Sequence, residues 1–216
     1  MDLYEAMRST GSTRYYEARD IPDDVLARVL DAARCAPSGG NRQPVRFLLV
    51  KDTAKKKRLR DLYLPIWDAY VDAIPQEKRV GAMLRLIENA GHFARHLDEV
   101  PVMAVICAKL SDVYPTDTKL GRISVVGGAS IYPMVQNLIL ACRGEGIGTT
   151  LTTLLCAVEP EVKTLLAIPD EIATAAMVTL GYPAKGFPKQ LKRRPLSEVV
   201  FLDSYGDVFP AVAGGG

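Results

Sequence analysis

Three stretches of this chain carry residue types at a spacing that suits binding chemistry. R-S-T-G-S-T-R at 8–14 packs two arginines, four hydroxyls and a glycine into seven residues. Arginine forks together with hydroxyl and backbone donors make a phosphate site; a solvated N-terminal turn has the same composition. A-P-S-G-G-N-R-Q-P at 36–44 follows a helical pattern and precedes an apolar strand. Such a loop exposes backbone N–H groups and lets a flat ligand approach closely, although a helix stop followed by a turn reads the same way. L-K-R-R-P-L at 191–196 adds a second basic cluster far downstream. Two basic clusters flanking a small-residue loop suit an anionic cofactor better than nucleic acid.

Other signatures fail on spacing or context. G-E-G-I-G-T at 144–149 has the wrong glycine spacing for a dinucleotide loop and follows a helix instead of a strand. No G-x-x-x-x-G-K-[ST] occurs, which disfavours a P-loop. The two histidines, His92 and His96, stand four apart without the glutamate of H-E-x-x-H or a third ligand, so a solvated helix face is expected and no metal site. The same scarcity of histidine disfavours a Ser-His-Asp or Cys-His hydrolase. K-K-K-R-L-R at 55–60 reads as another solvated helix face. The four cysteines, with no C-x-x-C pair, read as small buried hydrophobes.

Composition agrees with an ordinary globular chain. Of 216 residues, 48% are hydrophobic and 24% charged, and 27 Lys+Arg against 25 Asp+Glu leave a net charge of +2, too small to favour a nucleic-acid partner. The longest apolar run, 100–108, is half a membrane span, and the opening M-D-L-Y-E-A-M-R-S has no secretory pattern, so a cytoplasmic, membrane-free protein is expected.

A helix starts near Ile21, with Pro22, Asp23 and Asp24 in its first turn. V-R-F-L-L-V at 45–50 is a strand. Residues 53–97 look helical, with Leu59, Leu62, Ile66, Leu84, Ile87 and Ala90 facing inward. The continuous apolarity of 100–107 predicts a strand buried on both faces. Residues 125–143 predict a central helix, in which Pro133 marks a kink or the true start. Gly144, Gly146 and Gly148 lead into the β-branched strand I-G-T-T-L-T-T-L-L, and 175–181 is the last strand. Helices and strands mix without regular alternation, which predicts an α+β class. One domain over 1–209 and a frayed tail at 210–216 complete the expectation.

At these stretches the sequence resembles the FMN-dependent nitroreductase family, including its iodotyrosine-deiodinase-like branch. The resemblance runs from L-A-R-V-L-D-A-A-R and A-P-S-G-G-N-R-Q-P through Q-N-L-I-L-A-C-R-G-E-G-I-G-T-T (136–150), L-G-Y-P-A-K (180–185) and L-K-R-R-P-L-S-E-V (191–199). It implies a mixed central sheet flanked by helices and an intertwined homodimer with FMN at the interface. The family opens on an R-R-S-x-R type motif; here Ser12 and Arg14 keep their places while Thr10 and Gly11 replace the two basic residues. Arg8 is the substitute that the chain offers for the phosphate.

By resemblance, Arg8, Thr10, Gly11, Ser12, Thr13 and Arg14 line the cofactor, with Arg14 at the flavin N1/O2 edge. Pro37, Ser38, Gly39 and Asn41 reach it from the partner subunit. Leu151, Thr152 and Thr153 lie under the ring near N5, and Lys192 and Arg193 hold the phosphate. The implied reaction is ping-pong: NADH or NADPH reduces FMN, and a nitroaromatic, quinone or similar small acceptor reoxidises it, with no catalytic side chain required. The insert at 53–98 covers the open flavin face, and Tyr63, Trp67 and Tyr70 there are candidate substrate contacts or plain packing. Two alternatives share the fold: a reductive dehalogenase of halogenated tyrosine-like substrates, whose Glu-Tyr-Lys lid set is not placed in 53–98, and the enzyme that consumes FMN to make dimethylbenzimidazole. A non-catalytic flavin-binding or storage protein is the third.

Overall fold

The computed structural model describes residues 1–212. Its strands are β1 (Val45–Val50), β2 (Val102–Lys109), β3 (Gly148–Thr152) and β4 (Ile172–Gly181), in the order β1-β2-β4-β3 with each neighbouring pair antiparallel. The four-stranded sheet is antiparallel throughout where the resemblance implied a mixed one; a single isolated parallel bridge joins Ser12 to Thr149 at the free edge of β3. The helices are α1 (Leu3–Ser9), α2 (Asp23–Ala33), α3 (Thr53–Asp72), α4 (Gly81–Arg95), α5 (Tyr132–Gly144) and α6 (Glu159–Leu166).

The period of two along the strands sorts the core into two layers. On β2, Val102, Ala104, Ile106 and Ala108 pack with Leu26, Val29 and Ala33 of α2 and Val135 and Leu138 of α5. The alternate residues Met103, Val105 and Cys107 pack with Leu59, Tyr63 and Trp67 of α3, Phe93 of α4 and Val162 of α6. Seven consecutive residues of β2 are buried, as its unbroken apolarity predicts. The class is α+β, as expected.

Several boundaries differ from the sequence expectation. The stretch 53–97 is two helices, because Pro75 lacks an N–H and restricts the residue before it. Arg79 closes the break by donating to the Val71 and Ile74 carbonyls at 2.8 and 2.9 Å, and Gly81 (φ +56°) opens α4. The apolar stretch 125–143 is helical only from Tyr132, with Pro133 in the first turn. Before it, the Tyr132 ring fills the space that a Cβ on Gly128 would need. Residues 210–212 form a short 3-10 turn, and the rest of the expected 210–216 tail, 213–216, lies outside the described residues.

Two side-chain expectations also change. Lys56 is buried on the inward face of α3 and donates to the Val100 carbonyl at 2.7 Å, so the 55–60 run is not wholly solvated. Cys107 and Cys142 are buried and Cys156 is half-buried, but Cys35, just past the end of α2, is exposed. Helix α1, held at its start by Asp2, and helix α6 were not anticipated. Among the described residues no helix is long and apolar enough to cross a membrane, and no cluster of metal-ligating side chains forms.

Candidate functional site

The outer edge of β3 is occupied by the 12–14 segment. Thr13 N–H donates to the Thr149 carbonyl at 2.8 Å, and the Thr150 hydroxyl donates back to the Thr13 carbonyl. Thr13 itself is buried against Gly148. With Thr13 turned in, the alternating backbone leaves Ser12 and Arg14 to line open space.

The C-terminal stretch clamps the same segment from the other side. Ala184 N–H donates to the Tyr15 carbonyl at 3.0 Å, Glu17 N–H to the Tyr182 carbonyl at 2.9 Å, and Leu191 N–H to the Arg8 carbonyl at 2.9 Å. Tyr16 is anchored beneath by a 2.7 Å hydrogen bond to Thr179, and burial pushes its phenol far above the ordinary range. The two basic clusters of the sequence thus lie side by side.

Two cavities open on this segment and share Arg14. One, of 240 Å³, is polar and lined by Ser12, Thr13, Arg14, Tyr15, Asn89, Pro183, Lys185, Gly186 and Pro188. The other, of 370 Å³, is aromatic and lined by Arg14, Tyr63, Trp67, Tyr70, Leu86, Ala90 and Phe93, with Thr150, Leu151, Thr152, Thr153 and Leu154 along the strand side. Helices α3 and α4 therefore wall the second cavity, and β3 forms its floor. A larger groove of 470 Å³ lined by Arg58, Leu62, Pro160, Glu161, Thr164 and Leu165 gathers none of these segments and presents few convergent polar groups.

The aromatic wall is tied to the strand by Tyr63, whose hydroxyl lies 3.2 Å from the Thr152 hydroxyl and whose ring meets Phe93 edge-on at 6.3 Å. Burial raises the Tyr63 phenol above its ordinary range, so it stays protonated at neutral pH. In the polar cavity Tyr15 is the hub. Its hydroxyl donates to Asn89 at 2.8 Å, its ring stacks on His92 at 4.3 Å, and the Lys185 ammonium sits 3.2 Å from the ring centroid. Burial, with the nearby His96 and Lys185 charges, holds His92 below the usual imidazole range.

Of the residues singled out in the sequence, Ser12, Thr13, Arg14, Leu151, Thr152, Thr153, Tyr63, Trp67 and Tyr70 converge here. Others do not line either cavity within one chain. The Arg8 guanidinium lies over the Tyr4 ring, and the Thr10 hydroxyl donates to the Ala6 carbonyl at 2.6 Å. Gly11 is wedged against Pro188 and Leu191, and Lys192 and Arg193 are exposed. The 36–44 loop lies elsewhere: Gly39 N–H donates to Ser130 at 3.0 Å and the Ser38 hydroxyl accepts from Gln43 N–H at 3.0 Å, leaving Pro37 and Asn41 with them. Tyr15, Asn89 and Lys185 were missed. Lys185 stood inside the quoted L-G-Y-P-A-K stretch, but nothing local marks a lysine as facing residues 12–15.

Comparison with known proteins bears on this arrangement. The chain is 30% identical to the NADH dehydrogenase of Thermus thermophilus over 93% of this chain and 95% of that protein. It is 24% identical to iodotyrosine deiodinase 1 of Rattus norvegicus over 92% of this chain and 68% of that one. It superposes on a crystal structure of oxidized iodotyrosine deiodinase bound to FMN and 3-iodo-L-tyrosine with a TM-score of 0.71, covering 89% of this chain and 96% of that chain at 22% identity, which shows a shared fold. Residues 7–182 match the sequence model of the Nitroreductase family, and on that match the chain belongs to the nitroreductase family.

Proposed function

We propose that this chain is an FMN-dependent oxidoreductase that takes hydride from NADH or NADPH and delivers it to nitroaromatic, quinone or similar small acceptors in ping-pong order. The observation that carries the reading is the placement of Arg14 at the junction of a polar cavity and an aromatic one. The donor set fits the cofactor: hydroxyl and cationic groups for a phosphate-bearing tail, and a strand floor with aromatic walls for a flat ring. The FMN held by a protein of the same fold and the name of the Thermus thermophilus relative support it.

FMN, when bound, supplies the hydride transfer chemistry, so the chain needs no nucleophile. Its own residues bind and orient. Ser12 would donate its hydroxyl to the tail. Arg14 would set a positive charge beside the ring, which would favour the reduced cofactor. Leu151, Thr152 and Thr153 support the ring, and residues 53–98 cover its open face within one unit spanning 1–209. Tyr63, Trp67 and Tyr70 then stack on the acceptor.

In this reading Pro37, Ser38, Gly39 and Asn41 belong to a second copy's site, and the protein works as a homodimer.

The deiodinase relatives favour a second reading, reduction of a halogenated tyrosine. The charged residue lining the aromatic cavity is Arg14, whereas a zwitterion also needs an acid for its ammonium group. That ranks uncharged aromatic acceptors first.

The visible spectrum of the purified protein and chromatography of its heat-released chromophore test the cofactor, with about one FMN per chain expected. Steady-state NAD(P)H oxidation with a quinone or nitro acceptor tests the reaction. Flavin without turnover means storage, halide release from iodotyrosine means the dehalogenase, and failure to take up FMN ends all three.

A further inference from the structure

We infer that Lys185 is a phosphate-binding cation of the polar cavity; the inference rests on the FMN reading above. A phosphate monoester carries roughly −1.5 to −2 charges at neutral pH and calls for more than one cation together with hydroxyl donors. Arg14 and Lys185 are the basic residues that line the 240 Å³ cavity, with the Ser12 hydroxyl beside them. Arg14 also borders the aromatic cavity, so its charge is shared with whatever occupies that space.

Lys185 is held at this spot by the backbone on both sides of it. Ala184 N–H donates to the Tyr15 carbonyl at 3.0 Å, and Gly186, at φ +69°, turns the chain back with its N–H on the Pro183 carbonyl at 3.3 Å. The Lys185 ammonium rests 3.2 Å from the Tyr15 ring centroid. An aromatic face attracts the cation but neither neutralises it nor uses up its three N–H donors. No acidic side chain pairs with Lys185 within 4.0 Å among the described residues.

The positions upstream explain why the charge comes from here. A Cβ on Gly11 would stand 3.0 Å from Pro188 Cγ and 3.3 Å from Leu191 Cδ2, so the C-terminal stretch packs tightly against position 11. Thr10 turns its hydroxyl back to the Ala6 carbonyl. Arg8 lies over Tyr4, and Arg193 donates to the Lys192 carbonyl. The same stretch that crowds position 11 carries Lys185 to the cavity.

The test compares FMN with riboflavin, which lacks the phosphate, by quenching of flavin fluorescence on the wild type and on Lys185→Gln and Lys185→Arg. The expected result is a wild-type preference for FMN that falls about ten-fold or more in Lys185→Gln, with riboflavin affinity unchanged and the preference largely kept in Lys185→Arg. Equal loss for both ligands would show that Lys185 serves only to pack Tyr15, and an unchanged preference would show no phosphate contact; either overturns the inference and leaves the FMN reading standing. Arg8→Gln is the comparator: loss of the preference there, with none in Lys185→Gln, gives the phosphate to Arg8. A wild type that binds neither flavin removes the FMN reading itself.

Discussion

Gly148 and Thr13 meet so closely that a Cβ on Gly148 would stand 2.3 Å from the Thr13 hydroxyl oxygen. This contact lets the 12–14 segment lie flush against β3 and turns Ser12 and Arg14 toward the cavities. Gly148→Ala should cost about 1–3 kcal/mol of stability by overpacking, read from urea unfolding, and should weaken FMN binding in parallel. Adding Thr13→Ala removes two of the three closest atoms and should recover part of both losses; simple additivity of the two changes would show that the contact is not the cause.

Arg14 is the residue common to both cavities. Arg14→Ala should weaken FMN binding by about ten-fold or lower turnover to a similar degree, while Arg14→Lys keeps part of each. Fluorescence titration and steady-state NAD(P)H oxidation report the two effects separately. A variant with unchanged affinity and rate removes Arg14 from the site.

Tyr70 and Trp67 line the aromatic cavity, but Tyr70 is 53% exposed and Trp67 only 7%. Tyr70→Ala should therefore leave stability within about 0.5 kcal/mol of wild type and still raise the acceptor KM several-fold. Trp67→Ala should cost about 3–5 kcal/mol because it empties a packed site. Thermal melts beside Michaelis curves distinguish them, and an unaltered KM in Tyr70→Ala would make that ring mere surface.

His92 is held neutral by burial and by the charges of His96 and Lys185, below an unfolded value of about 6.5. As pH falls through that value the unfolded chain takes up the proton first, so the contribution of His92 to stability is complete above it. The contribution declines as the pH drops toward the folded value. Melting temperatures from pH 8 to pH 5 should fall, and the fall should be shallower in His92→Gln. Identical slopes would assign the acid sensitivity to other groups.

The 36–44 loop lies outside both cavities of its own chain, and the proposed homodimer supplies it from a partner. Light scattering with absorbance detection should find flavin only in the dimer peak. A flavin-loaded monomer would contradict the shared-site arrangement.

Local physics made much of this readable in advance. The unbroken apolar run of β2 specified a strand buried on both faces, Pro22 and two aspartates marked the start of α2, and Pro133 marked the first turn of α5. Ser12 and Arg14 stood out by the cluster of hydroxyls and arginines at 8–14 and 151–153 by the family resemblance; these residues line the two cavities. The readings of β2, α2 and α5 depend on a period, a fixed φ or an end effect confined to a few residues.

What the sequence could not disclose lies in contacts made across long separations. Whether 53–97 was one helix or two turned on Pro75 against a helical charge pattern, and Lys56 looked like its solvated neighbours until α3 packed beside Val100. Tyr15, Asn89 and Lys185 meet only because α4 folds over the N-terminal segment and the stretch after β4 returns to pair with residues 15–17. Short-range sterics and periodicity in the chain mark the four strands, α2, the first turn of α5 and the small-residue loop, but not α1, α6 or the break between α3 and α4. The tertiary structure decided which side chains share a cavity, because that depends on pairing register and helix docking between segments far apart along the chain.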